Sequence, residues 1–377
     1  MSVCPKHIMS TNPQKAHIKA WIRQQALSLG FSECGFLSLE NPIFVKAAER
    51  LQAYVAQGLH GSLEFLTQNH HLRSNPTLLV AGAKTIICVR MDYLHEIPTP
   101  RTISDDRPNH AIIARYARGR DYHKTLRQKL KALARLIENE LPRWQGLGVG
   151  AENAFVFRPF SDSAPIFEKV AAQTAGLGFE GKHTLLIEQN SGSFFNLGEL
   201  FVSLDLADKD EQHSPKALCG SCTACIDICP TRAIIAPYTL DTSACIAYLT
   251  IEHQGVIDVK YRKAIGNRVF GCDDCQLICP WNKYAKLSKV SDYAPRHGLD
   301  TLSLLDIWTW SEEEFLQKTE GSPLRRTGYL GILRNTAIAL GNSRPLDKKS
   351  VQHALSSRLG ENDILDEHIH WAIAELD

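Results

Sequence analysis

The chain of 377 residues carries 42 Lys+Arg against 41 Asp+Glu, a net charge of +1, and is 44% hydrophobic and 22% charged. These proportions exclude a mainly disordered chain and suit two or three domains better than one. No run approaches the ~20 apolar residues that span a bilayer, and residues 1–19 have no apolar signal-peptide core, so the expectation is a soluble, cytosolic protein with no membrane partner.

In chain order, residues 16–29 place Ile18, Trp21, Ile22, Ala26 and Leu29 on one face of an amphipathic helix. A second helix is predicted over 43–57, ending near Gly58, and a short buried strand over 85–89. Residues 73–135 hold 13 Lys+Arg against 5 Asp+Glu, a local charge of +8. Such a stretch is either a face for a polyanion or a solvated helical surface. Within it a long basic helix is predicted over 123–141, stopped by Pro142. Further strands are predicted at 184–187 and 200–204. Helices alternating with short strands point to an α/β or α+β arrangement over the first 210 residues. A polar stretch with Asp205, Asp208, Lys209, Asp210 and Glu211 then marks a boundary before a cysteine-rich module ending near Trp281. The remainder reads as helical and ends acidic: residues 350–377 hold six acids against Arg358 alone. Residues 333–340 are echoed by 368–376 at a period of about 35, as in stacked HEAT-type helix pairs or in an ordinary helical domain with alanine-rich contacts.

Eight of the 11 cysteines fall between 219 and 279. Without a secretory signal, structural disulfides are not expected, and such crowding points to a metal or redox centre. Cys219, Cys222, Cys225 and Cys229 follow the spacing C-x2-C-x2-C-x3-C-P, closed by Pro230. In bacterial ferredoxins the first three such thiolates hold one [4Fe–4S] cluster and the fourth reaches a second. A partial copy follows at Cys272, Cys275 and Cys279-Pro280. The cysteine expected at 269 is Val269, and Cys245 is available to replace it. The count then closes: Cys219, Cys222, Cys225 and Cys279 for one cluster, Cys229, Cys245, Cys272 and Cys275 for the other. The competing reading is zinc, but knuckles for tetrahedral zinc are usually further apart and often include His. Cys4, Cys34 and Cys88 read as core or surface thiols.

Clusters deliver electrons but seldom transform organic substrates, so residues 1–210 should hold the acceptor. They contain no G-x-G-x-x-G opening a helix and no P-loop. They contain instead three dense polar segments: RYARGRDYHK at 115–124, RPFSDSAP at 158–165 and AGLGFEGKHTLLI at 175–187. Together with GSFF-x-LGEL, YLTIE, GCDDCQLICPWN and GS-x-LRR…LRN-x-A-x-ALGN, these motifs make the chain resemble the epoxyqueuosine reductases over nearly its whole length. Phe179 stands where that family usually has Trp, and the stretch at 141–151 looks like a surface insertion.

The resemblance implies a cytoplasmic enzyme, related to the reductive dehalogenases. It would use cobalamin and two [4Fe–4S] clusters to reduce epoxyqueuosine to queuosine at the tRNA wobble position. The implied fold class is α+β: an α/β cobalamin-binding catalytic domain at 1–212, a ferredoxin-like two-cluster domain at 213–290 and a helical, HEAT-like, tRNA-contacting domain at 291–377. Removing the epoxide oxygen as water takes two electrons and two protons. The leaving oxygen needs a general acid, whose carboxyl burial would raise toward the working pH. By resemblance Asp162 is that acid; on the residues alone, a helix N-cap ahead of Pro165 competes. His123 and Tyr93 match active-site residues that orient substrate or relay protons, although Tyr93 also reads as packing after a strand. The candidate corrinoid contacts are Asp162, Lys182, His183, Thr184, Asp273 and Asp274, with a solvated loop and a turn cap as the plainer alternatives. The D-x-H-x-x-G cobalamin signature is absent, and the family binds its corrinoid without it.

For tRNA, the candidates are the basic helix beginning at His123, Arg325, Arg326 and Arg334. Phosphate contacts would fix position and a splayed base would enter the pocket. Two other classes compete. A corrinoid dehalogenase acting on a small molecule should have little use for the helical tail. A ferredoxin-type electron carrier would leave residues 1–210 without a purpose. The electron donor is not legible, and the resemblance suggests a monomer.

Overall fold

The computed structural model describes residues 13–97, 107–144, 155–211, 213 and 218–377. Its N-terminal part is built on the strand Phe195–Val202 (FNLGELFV). Thr85–Asp92 pairs on one side of it and Phe157–Phe160 on the other, and Glu33–Ser38 extends the sheet beyond Thr85–Asp92. All three pairings are antiparallel. The layer is therefore α+β, and the parallel α/β alternative for this region is set aside. Thr85–Asp92 is buried at every position. A strand covered on both faces reads as a continuous apolar run whichever way its neighbours point, so the sequence could not separate the two cases.

One face of the sheet is covered by the helices Pro13–Ser28 and Tyr122–Glu140, whose Ile18, Ile22, Leu126, Leu130 and Leu133 pack on Ile87, Val89, Leu200 and Val202. The other face carries Ile86, Cys88 and Phe201 against Phe44, Ala171 and Ala172 of the helices Ile43–Ala56 and Glu168–Thr174. Cys34 and Cys88 are buried, as core thiols; Cys4 lies outside the described residues, as does most of the 141–151 stretch. The long helix starts at Asp121, whose side chain accepts the His123 N–H, and stops before Pro142. The strand expected at 184–187 shrinks to Leu186–Ile187, paired with Phe179–Glu180. The basic stretch is less of a face than its count suggested. Arg73, Arg90, Arg115 and Arg118 are buried, while Lys124, Arg127, Lys131 and Arg135 remain exposed on the long helix.

The cysteine-rich part is stitched to the rest by a parallel pairing of Arg268–Phe270 with Ile112–Ile113. Its short helices Ala224–Ile228 and Asp274–Leu277 pack on each other. In the tail, Leu304–Trp308 and Glu312–Lys318 begin with capping boxes at Ser303 and Ser311, each satisfying two orphan N–H groups. The two echoed segments lie on Gly328–Gly341 and Asp363–Leu376, which pack against one another. A Cβ at Gly341 would lie 2.8 Å from the Ala372 Cα, so this crossing needs glycine. The same apolar cluster takes in Val269 and Phe270. Among the described residues, no helix is long and apolar enough to cross a membrane.

Candidate active site and cluster ligands

The turn after Phe157–Phe160 carries Asp162 in a left-handed conformation, φ +49°. Its Oδ2 accepts the Tyr122 hydroxyl at 2.6 Å and lies 3.6 Å from His123 Nε2. His123 Nδ1 is 2.7 Å from Asp121 Oδ1, so the imidazole bridges two carboxylates. Tyr122 stacks on His123 with ring centres 4.0 Å apart. Tyr116 meets Tyr122 edge-on at 5.8 Å and reaches Phe270, two residues before Cys272. The helix start thus aims Tyr122 and His123 at one carboxylate, and an aromatic wall runs from there toward the cysteines.

The charges of this group follow from its contacts. Partial burial works against a charged imidazole, but donation to the Asp121 carboxylate and the negative charge of Asp162 beside it outweigh it and raise His123 to about 9. The Asp162 side chain is open over 64% of its surface. Crowding by surrounding protein pulls its carboxyl up, yet the hydrogen bonds from His123 and Tyr122 win and hold it below the usual range. The expected upward shift of Asp162 is therefore reversed: near pH 7 the protein holds an imidazolium beside a carboxylate. Because His123 is raised above its ordinary value of 6.5, its pairing stabilises the fold fully below that pH and is lost as pH rises through about 9. An NMR titration of the His123 ring should give an apparent value near 9, moving down in Asp121→Asn; a ring titrating at its ordinary value would refute the bridge.

The other candidates read from the amino-acid sequence are tied up by the protein itself. Tyr93 makes no hydrogen bond or ring contact to this group. It is 5% exposed, edge-on to Phe194 and Tyr293, with its hydroxyl 3.5 Å from Gln276; packing after the strand is its observed role. Lys182 Nζ donates to the Gly220 and Cys222 carbonyls at 2.7 and 2.9 Å, pinning the first cysteine loop. Asp273 accepts from the Arg115 N–H and guanidinium, and Asp274 pairs with Arg268. Each of these three already has a partner within the protein, as buried charges do. His183 differs. Its Nδ1 accepts the Leu185 N–H at 3.0 Å. Burial, with Lys169 adding, lowers it to about 4. The neutral ring therefore bears its proton on Nε2, a buried donor with no partner. Thr184, with φ +70°, offers its carbonyl to Lys169. Arg325 and Arg326 are exposed, the latter paired with Glu252. Arg334 is not: it is 1% exposed and donates to the His253, Gly255 and Leu249 carbonyls. It is a structural arginine, and the tRNA assignment for it is withdrawn.

Asp121, Tyr116, Tyr122, Glu168 and Glu199 were not singled out from the sequence. Asp121 and Tyr122 lie inside GRDYH and were within reach. Glu199 could have been flagged as a lone acid in an apolar strand.

All eight clustered cysteines are free thiols. Several of them act electrostatically on one another. Burial first, and then Cys219, Cys225 and Cys222, pushes Cys279 up to about 11. Burial and then Cys272 and Cys245 raise Cys275, and Cys229 adjoins Cys245. Cys225 also acts on Cys275. The Ala233 N–H points at Cys229 Sγ at 3.3 Å, a contact typical of a cluster ligand. Among the described residues, no three His, Cys, Asp or Glu side chains converge as a lone metal ion requires. Phe179 is buried edge-on against Trp281, two residues past Cys279.

Residues 218–282 match the 4Fe-4S double cluster binding domain, and residues 73–163 match the family model described as epoxyqueuosine reductase QueG, DUF1730. The epoxyqueuosine reductase of Escherichia coli (strain K12) is 44% identical over 94% of this chain and 88% of its own length. That of Pseudomonas aeruginosa is 42% identical over 96% and 95%. A crystal structure of an epoxyqueuosine reductase with an epoxyqueuosine-modified tRNA-Tyr stem loop superposes with a TM-score of 0.82 at 26% identity, covering 96% of this chain and 91% of that one. The Bacillus subtilis enzyme, solved with its catalytic aspartate loop swung out of the active site, gives 0.80 at 26% identity over the same shares. Likeness of this depth over nearly the whole of both chains, with a double-cluster domain in place, makes the chain a member of the epoxyqueuosine reductase family of oxidoreductases.

Proposed function

We propose that this chain reduces epoxyqueuosine to queuosine in tRNA in the cytoplasm, drawing electrons through two [4Fe–4S] clusters and cobalamin, with Asp162 delivering a proton to the epoxide oxygen. The observation that carries this reading is the Asp162 carboxylate set between the Tyr122 hydroxyl and a His123 imidazolium, in a chain with eight clustered thiols. The division of labour follows the segments read from the sequence: 1–212 for chemistry, 213–290 for electrons and 291–377 for the HEAT-like tail.

Cysteines 219, 222, 225 and 279 take one cluster and 229, 245, 272 and 275 the other. When bound, cobalamin supplies a low-valent cobalt able to pass electrons to carbon. His183, with its buried unpaired Nε2–H, fits an amide-rich ligand, and Thr184 and Asp162 are kept as further candidate contacts. His123 Nε2 holds the proton that Asp162 Oδ2 collects and hands to the leaving oxygen, while Asp121 keeps the ring aimed. Tyr122 holds Asp162 in place from the other side.

The turn bearing Asp162 and Ser163 is exposed and is the counterpart of the loop that opens in the Bacillus subtilis relative. Its opening would admit a splayed base. Beside the long helix, Arg120, Lys124, Arg296 and Arg325 line a cleft of about 660 Å³ that also holds Asp292 and Glu320. This cleft, with Arg326 near Asp162, is the surface for tRNA phosphates. A small-molecule dehalogenase has no use for it.

Anaerobic reconstitution with iron, sulfide and cobalamin, followed by assay on epoxyqueuosine-tRNA, tests the reading. About eight irons and one cobalt per chain, and queuosine as product, are expected, with Cys245→Ser holding about four irons. Binding should weaken steeply with salt. Full iron with no cobalt and no product would leave the electron carrier, and a flat salt response would remove tRNA.

A further inference from the structure

Glu199 lies in the middle of the central strand, opposite Cys88 on one side and Phe160 on the other. By strand alternation it faces the same way as Phe195, Leu197 and Phe201, into the apolar layer under the helix Glu168–Thr174. It is 0% exposed, and neither carboxyl oxygen has a partner in hydrogen-bonding geometry. A lone carboxylate does not persist in such a place. The Glu168 carboxyl, at the first position of that helix, is close enough to act on it. Burial and then the charge of Glu168 drive Glu199 to its protonated form. Glu168 in turn accepts the Asp162 N–H on Oε1 at 2.5 Å. That bond fixes the backbone of a residue in the left-handed region, which Asp tolerates better than most side chains. The Asp162 N–H thus ties the turn that sets Asp162 between Tyr122 and His123 to Glu168, which in turn acts electrostatically on Glu199 in the sheet interior. Proton delivery by Asp162 does not itself require two acids beneath it.

We propose that Glu168, backed by Glu199, is a positioning residue: through the Asp162 N–H it holds the turn in the conformation that aims the Asp162 carboxyl at Tyr122 and His123. The inference rests on the reading of Asp162 as proton donor. Several other groups face the pair. Asp162, His123 and Tyr122 lie on the turn side. Arg73 comes from the helix His70–Ser74, and Cys88 from the neighbouring strand. Burial and the Asp162 charge raise Glu168 to about 7. As a carboxylate above that pH, it grips the N–H more strongly than as a neutral acid below it. The hold on the turn therefore tightens as pH rises through about 7.

The test uses the cluster-loaded full chain with cobalamin and epoxyqueuosine-tRNA. Single-turnover rates are measured across pH, alongside hydrogen exchange of the segment 160–166. Glu168→Ala should lower the rate roughly 10²-fold above pH 7 and by less below it, erasing the pH step with tRNA affinity kept, because a small misplacement of a reacting group costs that much. Its segment should exchange about tenfold faster than wild type, as a lost hydrogen bond to a charged group allows. Glu168→Gln, whose amide oxygen still accepts the N–H, should recover most of the rate and the protection but lose the pH step near 7. Wild-type exchange in Glu168→Ala, or an unchanged pH step in Glu168→Gln, overturns the proposal. Asp162→Asn at wild-type rate would instead overturn the Asp162 reading, and exchange in Glu168→Ala would still decide whether Glu168 holds the turn.

Discussion

Asp162→Asn is expected to fold and load iron normally yet convert epoxyqueuosine about 10²–10⁴ times more slowly, the share a positioned general acid contributes. Asn keeps the shape: its Oδ1 still accepts the Tyr122 hydroxyl, and its backbone N–H still reaches Glu168. It carries no proton to give. The side chain is mostly open to solvent, so the fold does not depend on it. The resting charges make the test sharper. Asp162 is held ionised by His123 and Tyr122, against the pull of its crowded surroundings. His123 stays charged until about pH 9. The proton supply is therefore full at neutral pH and fails as pH rises through that value. Single-turnover conversion at saturating tRNA, with iron measured on the same samples, checks both points. A rate within about threefold of wild type removes Asp162 from the proton path.

Arg334→Met should be among the most damaging substitutions outside the cysteines, and its damage should be to the fold. The guanidinium donates to the His253 and Gly255 carbonyls at 2.7 and 2.8 Å, to Leu249 at 2.8 Å, and to Asn335 Oδ1. Asn335 in turn holds the Thr250 and Val269 carbonyls. Burial lowers Arg334 to about 10, which still leaves it charged at neutral pH. Methionine fills much of the volume but strands three buried carbonyls. Breaking a buried charged network of this kind costs about 3–5 kcal/mol, which in a chain of this size lowers Tm by on the order of 10 °C. The carbonyls belong to the segment that follows Cys245, so iron content should fall with Tm. The tRNA affinity of the fraction that remains folded should not change. Weaker tRNA binding at unchanged Tm would restore Arg334 to the tRNA surface.

The arginines of the tail show where a sequence is informative. The thiolates are legible because cluster chemistry demands cysteines at set spacings, and Asp162 and His123 come with their motifs. Arg325, Arg326 and Arg334 look alike as letters on a basic stretch. Only the packing of Gly328–Gly341 against Asp363–Leu376 and Val269 turns the third one inward. The partners of Lys182, Asp273 and Asp274 are hidden for the same reason: a charged residue beside a ligand loop is paired with whichever carbonyl or counter-charge the distant chain brings near it. Strand direction is hidden because both faces of the sheet are covered. Glu199 shows the converse, a residue out of keeping with its strand whose meaning needs Glu168 beside it.

The parallel pairing of Arg268–Phe270 with Ile112–Ile113 bears on how the enzyme matures. One strand runs directly into Cys272 and the other into the segment that opens the helix of Tyr122 and His123. The Cys272 loop and the start of the helix bearing Tyr122 and His123 therefore hang on one paired backbone, and what settles one settles the other. Iron loading should slow hydrogen exchange over residues 112–123 as well as around Cys272.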